Sequence, residues 1–103
     1  SRNAYLGAEE RKEAPCIHRC LLEARDSILQ GETRVEKIRE KALAMLARVP
    51  GIRVEYFEVL DAERLQDFPG GVLDRRRFGV LLVVAARLGK ARLIDNLVFR
   101  PEE

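Results

Sequence analysis

The sequence is poor in the residues from which small catalytic sites are usually built. It has one histidine, His18, and two cysteines, Cys16 and Cys20, in 103 residues. Two cysteines four residues apart make no disulfide framework, and no serine or cysteine is placed to use His18 as its base. Long apolar runs are missing too: none reaches the roughly 18 residues that a membrane span needs. The first ten residues carry Arg2, Glu9 and Glu10 in place of the apolar stretch of a signal peptide. Charge of one sign is lacking as well. Lys+Arg number 19 and Asp+Glu 17, spread along the chain to a net +2, which argues against a nucleic-acid arm or an acidic tail. The expectation is a domain of the reducing cytoplasm that contacts neither membrane nor nucleic acid. At 103 residues and 11.8 kDa the chain can close one hydrophobic core, but it is short for an enzyme with its own deep cleft. It also begins without methionine, on Ser-Arg-Asn, so a piece of a longer protein is expected.

What is present is clear periodicity. Glu9 and Glu10 suit the N-terminus of a short helix, and Pro15 suits the first turn of a longer one. In that second helix Ile17, Cys20, Leu21, Ala24 and Ile28 recur at steps of three and four and share a face, and Gly31 ends it. Thr33 with Glu36 fits a capping box for a third helix, with Val35, Ile38, Ala42, Met45 and Val49 as its apolar stripe before Pro50-Gly51. Beyond Gly51 the period changes to two. "IRVEYFEVL" (52–60) alternates as far as Tyr56 and then slips phase at Phe57, the mark of a strand with a bulge. Asp61 can cap a helical turn over "DAERL", and residues 67–77 read as a loop. "FGVLLVVAARL" (78–88) is apolar on both faces, as a central strand is, and Gly89-Lys90 makes a two-residue hairpin into "ARLIDNLVF" (91–99). The fold expected is α+β and two-layered: a short helix plus two longer ones packed on a three-stranded antiparallel sheet.

Three polar clusters invite a chemical reading. "CIHRC" places Cys16, His18 and Cys20 within five residues, yet His18 lies about 200° round a helix from Cys16, so the three cannot converge on one metal ion. "DRRR" (Asp74–Arg77) lacks interleaved aromatics and a matching basic face, and reads as a solvated loop. In "RLIDN" Asp95 points with Leu93 and Leu97 into an apolar layer and needs a partner, while Arg92, Ile94 and Asn96 point the other way. The hairpin sets Arg92 opposite Arg87. Two like charges so placed need a carboxylate such as Glu55 or Glu58, or a bound anion, between them. Arg87, Arg92, Asp95 and Asn96 are therefore expected to form a structural network that fixes sheet register. A structural or interaction domain and a weak nucleic-acid-binding module both remain open at this point.

"SRNAYLGAEER" at the start, "EYFEVLDAERL" in the middle and "AARLGKARLIDNL" near the end occur in the order seen in pantothenate synthetases, the pantoate–β-alanine ligases, and the chain resembles their C-terminal domain over nearly its whole length. It departs from the usual pattern at Gly7-Ala8, where Ser-Pro is common, and at Ala4, where a larger residue is common; both lie where the first helix starts. The resemblance implies that residues 1–103 are the single C-terminal lid domain of a two-domain enzyme, whose Rossmann-like N-terminal catalytic domain is absent from this chain and carries the homodimer contact. It implies ATP as co-substrate with Mg2+, pantoate and β-alanine as small-molecule substrates, and a pantoyl-adenylate intermediate. It also implies that Ser1 and Arg2 match the second serine and the arginine of the family's Met-Ser-Ser-Arg-Asn loop, which closes over the ATP phosphates. A hydroxyl beside an always-charged guanidinium is apt chemistry for that grip.

Overall fold

The computed structural model describes residues 8–73 and 79–101. Helix α1 (Ala8–Glu13) is short, and Pro15 then opens α2 (Pro15–Leu29), where its missing N–H costs nothing and its fixed φ is already helical. The face of α2 anticipated from spacing is the one that is buried: Ile17, Cys20, Leu21, Ala24 and Ile28. Gly31, at φ 119, takes a backbone conformation closed to most side chains and ends the helix.

Helix α3 (Val35–Ala47) buries Val35, Ile38, Ala42 and Leu46. Met45 and Val49 lie at the margin of this stripe, because the observed face is centred one position further along than the spacing indicated. Its start is also built differently. No side chain of an N-cap residue bonds into α3; the Glu32 carboxylate instead accepts from the backbone N–H groups of Thr33 and Arg34, at 3.1 Å each. Thr33 is unavailable as a cap because it lies in an extended stretch whose carbonyl accepts from Leu73 N, beside an isolated bridge between Arg34 and Val72.

The sheet has four antiparallel strands, β1 (Ile52–Asp61), β2 (Gln66–Asp67), β3 (Val80–Leu88) and β4 (Ala91–Phe99), in the order β2-β1-β3-β4. The three-stranded expectation is thus corrected by a two-residue strand inside what reads as a loop. The turn that Asp61 organises is what makes it. Asp61 Oδ1 accepts from Glu63 N at 2.8 Å and Arg64 N at 3.2 Å, and its carbonyl accepts from Leu65 N, so the chain reverses and pairs Gln66 with Asp61 and Asp67 with Leu60. The helix layer also differs from expectation, since α2 and α3 face the sheet while α1 packs mainly on α2.

Strand β3 is central and pairs with β1 and β4 on its two sides. Val80, Leu82, Val84, Ala86 and Leu88 face the helices and are fully buried; Phe57 and Val59 of β1 and Ala91 and Leu93 of β4 complete that layer. The hairpin register is the one set by Gly89-Lys90, with Leu88 opposite Ala91 and Gly89 at φ 61. The expected bulge in β1 is present but lies at Glu55, between Val54 and Tyr56, two residues before the slip read at Phe57. On the face away from the helices the cross-strand rows are Arg53–Arg87–Arg92, Tyr56–Ala85–Ile94, Glu58–Val83–Asn96 and Leu60–Leu81–Val98.

Candidate functional site

The bulge in β1 decides how charge is arranged on that outer face. An extra residue in one strand is left out of the ladder and its side chain is re-aimed, and here the re-aimed residue is Glu55. Its carboxylate accepts from Arg87 Nε at 3.1 Å on β3 and from Arg92 Nε on β4. The two arginines stand directly opposite each other, where unscreened like charges repel; the shared carboxylate relieves this. The hydrogen bond from Arg92, then that from Arg87, holds the Glu55 carboxyl below its usual range, and Glu55 in turn raises Arg92, with Tyr56 adding to the effect. All these groups stay wet, so the network fixes geometry more than it adds stability.

Asp95 belongs to a different place. It faces the helix layer, where His18 Nδ1 lies 2.9 Å from its Oδ2 and ties α2 to the edge strand β4, while its Oδ1 accepts from Asn96 N at 2.8 Å. Arg87 and Arg92 are thus brought together and Asp95 is held on the opposite face, with the Asn96 side chain exposed on the outer one. Ser1, Arg2 and Asp74–Arg77 lie outside the described residues. Among the described residues no three His, Cys, Asp or Glu side chains are grouped to hold a metal ion. Cys20 is fully buried, and burial, with smaller contributions from Asp95 and Cys16, pushes its thiol up to about 12. It is not a nucleophile near neutral pH.

Two functional positions escape sequence reasoning. Arg53 continues the row opposite Arg87, a fact carried by the β1–β3 register across a long connection and by no local motif. Arg39 on α3 donates to the Phe57 carbonyl at 3.0 Å and to Glu36 and Glu58 at 2.8 and 3.2 Å; its spacing to Glu36 was visible, its reach to β1 was not. A groove of about 260 Å³ between α2 and α3, floored by Ala24, Ile38, Ala42 and Met45, has Lys41 and Arg48 along it.

With this geometry in place, similarity to known proteins decides the family. A family model described as pantoate-beta-alanine ligase matches residues 1–98. The chain belongs to the pantoate–β-alanine ligase family. It is 43% identical over 98 residues to the pantothenate synthetase of Herpetosiphon aurantiacus, covering 95% of this chain and 34% of that protein. It is 38% identical over 103 residues to that of Geobacter sulfurreducens, covering 100% of this chain and 35% of the other. The solved pantothenate synthetase of Thermus thermophilus superposes with a TM-score of 0.79 at 36% identity, over 93% of this chain and 33% of that one. The chain therefore spans about a third of the length of the pantoate–β-alanine ligases it matches. None of its described helices is long and apolar enough to cross a membrane.

Proposed function

We propose that this chain is the C-terminal lid of an ATP-dependent, AMP-forming pantoate–β-alanine ligase, and that Ser1 and Arg2 are its contribution to the ATP-phosphate loop. The observation that carries this reading is the family match over residues 1–98, joined to coverage of only a third of the relatives. The rest of the enzyme, a Rossmann-like N-terminal domain in this reading, holds pantoate, β-alanine and most of ATP, and makes the homodimer contact. The whole protein works in the cytoplasm. Mg2+, held mainly by that other domain in this reading, would assist departure of the polyphosphate.

In the first step a pantoate carboxylate oxygen attacks the α-phosphorus of ATP, and the bond to the β-phosphate oxygen breaks to release diphosphate. In the second, the β-alanine amine attacks the acyl carbon, AMP leaves with the carboxylate oxygen, and the amine gives up a proton. Arg2 acts in the first step. Its guanidinium stays charged and donates two parallel hydrogen bonds to oxygens on which charge accumulates as diphosphate departs, and Ser1 adds a short neutral donor. The described residues supply a two-layer body that would carry this loop over the nucleotide and exclude water as it closes.

The test is Arg2→Ala in the intact enzyme, followed by diphosphate release in a single turnover. Loss of one preorganised donor slows this step by roughly 10²-fold, and Arg2→Lys, which keeps the charge without the fork, recovers part of it. An unchanged rate of diphosphate release would remove Arg2 from the mechanism.

A further inference from the structure

The outer face of the sheet carries more positive charge than the fold consumes. Arg53, Arg87 and Arg92 form one cross-strand row over β1, β3 and β4, which at the usual strand spacing places their Cα atoms within about 10 Å. Among the described residues a single carboxylate, Glu55, serves the row, and it engages the Nε of Arg87 and of Arg92. Each guanidinium has five N–H donors. The terminal N–H groups of Arg87, and the whole Arg53 side chain, have no protein acceptor among the described residues. The Tyr56 phenol lies against Arg92 on the same face, and α2 and α3 pack on the other one. Three guanidiniums against one carboxylate leave the row with a surplus of positive charge.

We propose that this row is an anion site for a diphosphate-type group, separate from the loop that bears Ser1 and Arg2. The slot for one carboxylate is already filled by the chain's own Glu55, so the charge left over calls for a ligand with at least two negative charges and several oxygens. Two linked phosphoryl groups can meet the forks of Arg53 and Arg87 side by side, while Glu55 engages the Nε edges of Arg87 and Arg92 and competes with the ligand for their charge. The bulge makes the site possible. Without the extra residue in β1, the side chain at position 55 would remain in the ladder's alternation, and Glu55 would not bridge the two guanidiniums.

The experiment is an NMR titration of the chain with sodium diphosphate, reading the arginine Nε–Hε resonances and the backbone amides of Ala85 and Ile94, with sodium acetate and sodium chloride as controls at matched ionic strength. Saturable shifts are expected with diphosphate and not with acetate or chloride. Arg53→Gln should weaken binding about fivefold or more, and Glu55→Gln, which removes the internal competitor, should tighten it several-fold. A purely structural network forecasts no saturable diphosphate binding, with Glu55 or with Gln in its place. Absence of saturable shifts up to about 10 mM diphosphate at low salt, where surface electrostatics are least screened, would overturn the proposal. So would equal shifts from acetate, or affinity unchanged in Arg53→Gln.

Discussion

Replacing Arg39 with alanine should be among the most damaging single changes outside the core. Strand β1 has ten residues, but its outer neighbour β2 pairs with Leu60 and Asp61 alone, so among the described residues most of one edge of β1 is left without a strand. Open edges invite pairing with other chains. Arg39 covers this one from α3: Nε donates to the Phe57 carbonyl at 3.0 Å, and the two terminal nitrogens reach Glu36 and Glu58, with the side chain 27% exposed. A hydrogen bond from a charged donor contributes about 1.5–3 kcal/mol, and partly exposed ion pairs contribute about 0.2–1 kcal/mol each. The loss is therefore about 2–5 kcal/mol, which in a domain of this size lowers Tm by about 10 °C or more. Thermal unfolding followed by circular dichroism measures it. Arg39→Lys keeps one charge and one contact, so it should fall about midway, and a double mutant with Glu58→Ala should show coupling below about 1 kcal/mol, leaving the backbone bond as the larger share. A fall in Tm of less than about 3 °C for Arg39→Ala would refute the reasoning.

Other expectations concern the interior. A thiol reagent near neutral pH should modify Cys16 and leave Cys20 until the chain unfolds; equal rates at both would contradict the burial of Cys20. Because the folded Cys20 thiol is pushed up to about 12, above its ordinary value of about 8.5, its stabilising effect is full below the unfolded value and fades as pH rises toward 12. Cys20→Ala should flatten that alkaline loss in a urea titration at several pH values. Leu82, fully buried toward the helices, should cost about 3–4 kcal/mol on replacement by alanine, while Leu81 on the outer face should cost less than half as much; equal costs would contradict a sheet covered on one side.

Elements defined by local pattern were legible before any coordinates. The buried face of α2, the bulge in β1 and the β3–β4 hairpin each follow from spacing or from a two-residue turn, and each holds in the structure. Elements defined by distant pairing were not. Strand β2 exists because Asp61 reverses the chain, and its two residues are too few to show a period. The partner of Asp95 is His18, 77 residues away, and nothing in either local sequence names the other. Arg53 joins the arginine row for the same reason, since the β1–β3 register is settled by packing and not by a turn. The family was carried by ordered motifs at the two ends and the middle, whereas the roles proposed for Ser1 and Arg2 fall on residues outside the described ones.

The central claim is that this segment completes an ATP-using active site that lies elsewhere in the protein. Pantoate-dependent exchange of labelled diphosphate into ATP tests it most directly, measured for the intact enzyme, for the remainder without this segment, and for this chain alone. The account predicts rapid exchange by the intact enzyme, a rate lower by roughly 10²-fold or more for the remainder, the scale of losing a preorganised phosphate donor, and none for the chain alone. Exchange at the full rate by the remainder would contradict it.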